Sequence, residues 1–243
     1  MSPTIVSYNA CISACEKAGE WQLGLSLLRE MCRERLLPDA VTYNAGISAC
    51  EKAGLWELGL QLLREMPLRR LDPNVVSYSA GISACEKGGK WELGLGLLAE
   101  MRAAELAPNV ISYSAGISAC EKGGRWRGSL ALLEEMPARR LLPNLVSVRS
   151  AICACDAAGL WRRHLLLLRG LRSLDLRADA VSYGAAIRAC EMGSRWRLGM
   201  GLTREMLHCM DLPLSDLVPD AVHGVADREA MSRSAAYGGR SKP

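Results

Sequence analysis

Apolar positions along residues 40–74 fall into two stretches with helical spacing. Tyr43, Ile47 and Cys50 stand at i, i+4 and i+7 and form one stripe. From Trp56 onward, stepping about 100° per residue spreads Leu58, Leu62, Met66, Gly59, Leu63, Trp56 and Leu60 over about 200° of arc, leaving Glu57, Gln61, Arg64 and Glu65 on the remainder. The pattern predicts a first helix over Val41–Lys52, a break at Ala53-Gly54, a second helix over Trp56–Leu68, and Pro73 helping to end the unit. So short a connection makes the two helices antiparallel. The apolar arc of the second helix is too wide for one partner and calls for a neighbouring unit as well.

The same pattern recurs along the chain. Tyr8, Tyr43, Tyr78, Tyr113 and Tyr183 are separated by 35 residues or a multiple of it, and Trp21, Trp56, Trp91, Trp126, Trp161 and Trp196 by 35 throughout. Cys15, Cys50, Cys85, Cys120, Cys155 and Cys190 keep the same step. A fixed period of this size implies an all-α, right-handed solenoid of about six two-helix repeats, each burying its apolar surface on the next. The boundaries are set at 5–39, 40–74, 75–109, 110–144, 145–179 and 180–214, followed by a partial end-of-repeat signature and a basic tail over 215–243 that is expected to be disordered. Gly24, Gly59, Gly94 and Gly199 fall mid-helix, where glycine costs about 0.5–1 kcal/mol against alanine, so close backbone approach is expected there. The last two units are less regular: Val148, Leu171 and Ala178 replace the tyrosine, methionine and proline of the fifth, and an insertion around His208–Asp216 interrupts the sixth.

Composition adds limits. With 243 residues, 49% hydrophobic content and a formal charge of +4, the chain has the mass for a core and a weak preference for anionic partners. Six of its ten cysteines recur once per repeat in an apolar, small-residue segment, which fits buried reduced thiols. Equivalent positions on stacked helices lie about 10 Å apart, beyond disulfide reach. No apolar run approaches the roughly 18 residues of a membrane span. Only Met1–Thr4 precede the first repeat, so the expectation is either a fragment of a longer array or a chain with no cleavable N-terminal address.

The candidate chemistry lies on the non-core face of the first helices. Val41, Asn44, Ser48 and Lys52 form one stripe from an apolar residue through two polar ones to a cation. It recurs as Val6, Asn9, Ser13, Lys17, as Val76, Ser79, Ser83, Lys87, and as Ile111, Ser114, Ser118, Lys122. Such a stripe suits single-stranded nucleic acid, with aliphatic side chains on base faces, amides or hydroxyls at base edges and lysine at phosphate. It equally suits a merely solvated helix face.

The units resemble pentatricopeptide repeats, 35-residue helical hairpins that bind RNA. The resemblance is carried by AVTYNAGISACEKAGLWELGLQLLREM at 40–66 followed by Pro73-Asn74, and it covers roughly residues 5–220. It implies one base read per repeat, through the fifth residue and the last, with the second residue sandwiching bases. By position these are Asn9 with Asp39, Asn44 with Asn74, Ser79 with Asn109, and Ser114 with Asn144, beside Val6, Val41, Val76 and Ile111. The resemblance implies uracil, cytosine or any pyrimidine, adenine and adenine in turn, a 5′-U-C/U-A-A-3′ preference, with Lys17, Lys52, Lys87 and Lys122 approaching phosphates. The fifth repeat offers Arg149 with Asp179 and the sixth Gly184, neither with an assigned base, and Ala157 and Met192 replace their lysines. Leucines (Leu28, Leu63, Leu98, Leu133) stand where the family often has phenylalanine, and the six tryptophans are taken as packing residues.

His164, His208 and His223 sit in no HxE context, Cys153-x-Cys155 lacks deaminase spacing, and no P-loop, nucleophile elbow or zincin motif occurs. No catalytic residue, metal or cofactor is therefore expected, and the resemblance implies a passive role in RNA processing, stabilisation or translation, in a mitochondrion or chloroplast. The alternatives are a peptide-binding scaffold solenoid and a truncated array without a tight ligand. Protein partners are open, as is end-to-end self-association through an uncapped first repeat.

Overall fold

The computed structural model describes residues 4–174, 176, 178–192 and 195–209. Among these residues there are twelve helices and no strand: α1 (Ile5–Ala18), α2 (Trp21–Arg33), α3 (Ala40–Lys52), α4 (Trp56–Leu68), α5 (Val75–Lys87), α6 (Trp91–Ala103), α7 (Val110–Lys122), α8 (Trp126–Ala138), α9 (Leu145–Ala157), α10 (Trp161–Ser173), α11 (Ala180–Met192) and α12 (Trp196–Cys209). The rest of the insertion expected at His208–Asp216, and the tail at 215–243, lie outside the described residues.

Local sequence fixes both ends of the first helices. α3 starts at Ala40, one residue before the expected start, because the Asp39 side chain accepts from the Thr42 N–H at 2.9 Å and so caps the helix. Thr4, Asn74, Asn109 and Asn144 cap α1, α5, α7 and α9 in the same way. α3 ends where Gly54 takes a left-handed conformation (φ 73°) and the Leu55 N–H reaches the Cys50 carbonyl at 2.9 Å. The second helices receive no side-chain cap at Glu20, Leu55, Lys90 or Arg125.

Each hairpin packs on the next to give a solenoid. Successive first helices touch along their length, whereas the second helices contact first helices and barely meet one another. The first-helix side is therefore the short, concave side. The core is continuous across units, with Ile12, Ile47, Ile82, Ile117 and Ile152 and Met31, Met66, Met101 and Met136 fully buried. Tyr43, in the expected core stripe, is also buried, and its hydroxyl donates to Glu65 at 3.0 Å. That corrects the placement of Glu65 on the outer arc: it is only half-exposed, holding Tyr43 and, at 2.7 Å, Arg69. Burial and the neighbouring Glu65 push the Tyr43 phenol above its ordinary range.

Cys11, Cys15, Cys32, Cys50, Cys85, Cys120, Cys153, Cys155 and Cys190 are free. Burial pushes the thiols of Cys50, Cys85 and Cys120 up to about 11, so at neutral pH they are unreactive packing groups. No helix among the described residues is long and apolar enough to cross a membrane.

The mid-helix glycines require a correction. A Cβ on Gly59 would lie 3.6 Å from the Cβ atoms of both Cys50 and Ala84, which is ordinary contact at a junction of three helices. The position has room for a methyl and little more. Ser129 and His164 stand at the equivalent sites of α8 and α10, both buried, with the Ser129 hydroxyl and both His164 ring nitrogens lacking a hydrogen-bond partner. Burial pushes the His164 imidazole below its ordinary value, against smaller opposing effects of the Ser182 backbone and Asp156.

Two outcomes follow from this junction. Gly59→Ala and Gly94→Ala should each stabilise the protein by about 0.5–1 kcal/mol, read as a rise in urea midpoint, since alanine loses less backbone entropy and meets no clash. The unfolded chain takes up the His164 proton near pH 6.5 while the folded chain resists it to lower pH, so the unfolded state binds more protons in that interval and stability falls as pH drops through 6.5. Thermal melts should show this loss in the wild type, and a smaller one in His164→Gly; identical pH profiles would contradict the assignment.

Candidate functional site

The fifth residue of a first helix and the last residue of the same unit are distant in sequence and adjacent in space. The Asn9 amide donates to Asp39 Oδ2 at 3.1 Å, that of Asn44 to Asn74 Oδ1 at 3.4 Å, and the Ser114 hydroxyl to Asn144 Oδ1 at 3.1 Å. Ser79 and Asn109 meet through a third group, Ser112, at 2.7 and 3.0 Å. In the fifth unit Arg149 donates to Asp179 at 3.2 Å, so it is ion-paired rather than freely solvated.

The group that joins the first three pairs was missed in the sequence. It is the hydroxyl at the third position of the following first helix: Thr42 donates to Asn9 Oδ1 at 2.5 Å and Ser77 to Asn44 Oδ1 at 2.6 Å. Thr42, Ser77, Ser112, Ser147 and Ser182 are all fully buried. The signal that could have found it is the capping-box spacing, Asp or Asn followed three residues later by Thr or Ser, which closes reciprocally at α3, α5, α7 and α9. Each last residue thus caps the next unit's helix and is linked to its own unit's fifth residue, directly in all but the third unit and there through Ser112. Burial alone would raise the Asp39 carboxyl, but hydrogen bonds from the Thr42 backbone, the Thr42 hydroxyl and the Asn9 amide carry it below its ordinary value.

Beside this row the second-position residues Val6, Val41, Val76 and Ile111 are exposed, and Val146 and Val181 extend the line through the last two units. The serines differ from expectation. Ser79 and Ser114 are only 5% and 7% exposed, and Ser118 is also buried, its hydroxyl 2.7 Å from that of Ser150. A serine is short, and the next first helix lies close enough to cover it, whereas Asn9 and Asn44 reach further out and stay part-exposed.

The lysine row is in place but compensated. Lys52 pairs with Glu16 of the preceding unit at 2.9 Å, Lys87 with Glu51 at 2.9 Å and Lys122 with Glu86 at 2.5 Å. Lys52 also donates to the Glu16 carbonyl at 3.2 Å, bonding the C-terminal turn of the helix behind it. Lys17, in the first unit, has no carboxylate partner among the described residues. No cluster of metal-ligating side chains occurs among the described residues.

Comparison with known proteins sets this geometry in context. The profile of the PPR repeat family matches residues 3–50 and 38–87, and that of the PPR repeat matches 76–106 and 111–141, together more than half of the chain. No curated protein matches significantly. Among solved structures, the pentatricopeptide repeat protein PPR10 from maize superposes with a TM-score of 0.62 at 23% identity over 86% of this chain and 30% of its own. The PPR domain of Arabidopsis thaliana protein-only RNase P 1, in complex with tRNA, gives 0.64 at 15% identity, covering 78% of this chain and 96% of that one. PPR10 in complex with an 18-nt psaJ RNA element gives 0.52 at 18% identity, covering 86% and 35%. The present chain thus spans under a third of the maize protein, and at these identities the likeness is one of fold.

The Asp39 and Asp179 caps have a pH signature. Hydrogen bonds to both carboxylates hold their pKa below the 3.8 of an ordinary Asp, so their contribution is complete above that value and is lost as pH falls through the lower, folded-state value. Asp39→Asn/Asp179→Asn, which substitutes the residue used at the other caps, should flatten the acid limb of a stability–pH curve below pH 4 while changing neutral stability by less than about 1 kcal/mol. An unchanged acid limb would contradict it.

Proposed function

The chain belongs to the pentatricopeptide repeat family, and from that premise we propose that it binds single-stranded RNA along its first-helix face, one base per repeat in the first four units. The observation that carries the proposal is the recurrence, in four successive units, of a fifth residue held against a last residue, through a buried hydroxyl in the first three and directly in the fourth, next to an exposed Val or Ile. Two related folds, those of maize PPR10 and of Arabidopsis RNase P 1, were solved with RNA bound, which supports the same class of ligand here.

The aliphatic row supplies surfaces on which bases can pack, and the paired residues supply oriented hydrogen-bonding groups at intervals of one repeat. Asn9 keeps a second amide hydrogen and a second carbonyl lone pair beyond those used by Asp39 and Thr42. Ser79 and Ser114 present less, and the partner residues Asn109 and Asn144 would carry more of the contact in those units. The proposed base order is U, C or U, A, A. Each paired lysine retains a donor beyond its carboxylate partner, so a phosphate can join the Glu–Lys pair rather than displace it. The proposed action is occupancy of RNA, with no cleavage step.

Fluorescence anisotropy with a UCAA segment in a neutral spacer should show tighter binding than with a scrambled segment. The slope of log K against log salt should be near −3 if all four lysines meet phosphates. Ser79→Asn/Ser114→Asn should move the preference at the third and fourth bases from adenine toward pyrimidine. Equal affinity for both RNAs would overturn base reading, and absence of binding at low salt would overturn RNA binding altogether.

A further inference from the structure

A tryptophan opens every second helix, and its surroundings change along the chain. The residue after it is Gln22, Glu57 and Glu92 in the first three units, but Arg127, Arg162 and Arg197 in the last three. Arg125, Arg163 and Arg195 stand close by. These arginines and the indoles form a ladder: Arg125 lies 4.5 Å over Trp91, Arg127 and Arg163 lie 4.7 and 5.4 Å from Trp126, Arg162 and Arg195 lie 5.1 and 5.6 Å from Trp161, and Arg197 lies 5.2 Å from Trp196. In the preceding unit Lys90 takes the same place over Trp56 at 5.0 Å. The tryptophans do pack, since the Trp56 and Trp91 rings lie on the backbone of Gly88 and Gly123, but packing does not account for the arginines.

All six arginines are exposed, and none has a carboxylate partner among the described residues. The first turns of α8, α10 and α12 hold no acid. A cation at a helix start opposes the helix dipole, which the glutamates at the same position in α4 and α6 favour. The helix dipole therefore does not favour these arginines. An indole under a guanidinium holds it extended while leaving its N–H edges free to grip phosphate oxygens. Along the chain, the edge takes over where the lysine row stops: Lys122 is the last of that row, and Arg125 follows three residues later, with Ala157 and Met192 in the next two lysine positions.

From this arrangement we infer that the tryptophan–arginine edge of the last three units binds the phosphodiester backbone of RNA lying 3′ to the segment in the groove, without base preference. The inference rests on the RNA-binding reading and on the implied 5′-to-3′ order of the repeats. Positive charge interleaved with aromatic rings at repeat spacing suits a single strand, whose phosphates recur along a line.

The test compares three RNAs, the UCAA core in a neutral spacer, the core with a 3′ single-stranded extension of ten nucleotides, and the core with the same extension at its 5′ end, on the full chain and on Arg127→Glu/Arg162→Glu/Arg197→Glu. The variant carries at each site the residue found at 57 and 92, so it should fold with an unchanged or higher melting temperature. The 3′ extension should tighten wild-type binding about tenfold at low salt and steepen the salt slope by about two, from roughly 0.7 per phosphate contact. The variant should lose that gain and keep its affinity for the bare core. If the core binds selectively and the 3′ extension adds nothing, the edge inference is overturned and base reading stands. If the core shows no selectivity but 3′-extended RNA still binds through the arginines, base reading fails and the edge stands. Equal gains from both extensions, or competition by polyglutamate with no gain from RNA, would overturn the inference as stated.

Discussion

The close approach of successive first helices is the constraint from which the rest of the structure follows. The buried residues of these helices include many small ones, Ala45, Gly46, Ala49 and Cys50, then Ala80, Gly81, Ala84 and Cys85. Small side chains let helix axes come to the short end of the usual 8–10 Å range. Because the second helices carry Leu and Met and stay further apart, the stack curves toward the first helices. The same proximity brings the third-position hydroxyl of one unit against the fifth residue of the unit before it. Stability and the placement of the candidate reading groups therefore rest on one contact surface.

That shared basis restricts which residues can occupy the site. The last residue of a unit must cap the next helix, and good caps are Asp, Asn, Ser and Thr. The chain uses Asp39, Asn74, Asn109, Asn144 and Asp179 there, and each side chain accepts from the N–H three residues on. A residue facing a ligand while satisfying a helix end is held in one orientation before any ligand arrives, which lowers the ordering cost of binding. The fifth residue is held less uniformly. Its length decides whether it stays accessible, as in Asn9 and Asn44, or is covered by the neighbouring helix, as in Ser79 and Ser114.

Helix positions and the core stripe were legible in the sequence because periodicity reports directly on which side of a helix is apolar. The antiparallel hairpin, the buried Tyr43, Ile47 and Cys50 and the start of the second helix at Trp56 all follow from that signal. Distances between units were not legible. Periodicity places Ser79 on the outer stripe but carries no information on how near the next helix comes, and it is that distance which buries it. The mid-helix glycines misled for a related reason: composition marks a small residue, whereas only the three-helix geometry around Gly59 reveals space for a methyl. The Glu–Lys pairs were overlooked because their partners are 36 residues apart, one full unit plus one step. A search for opposite charges at the repeat length rather than within a helix would have found them.

These pairs also explain why a formal charge of +4 understates how unevenly the charge lies. Along the lysine row each cation beyond the first faces a glutamate of the unit before it, and the bond ties the C-terminal ends of successive first helices together. Charge there is spent on the seam. In the later units the ladder changes form: Asp156 pairs with Arg188 at 3.0 Å, and the second-helix starts gain arginines with only indoles beneath them. Half-exposed pairs of this kind contribute little to stability. Unpaired charges at the positive ends of three successive helices work against it. At the second-helix starts, the exposed arginines without a carboxylate partner among the described residues thus gather where the regular repeats give way to irregular ones.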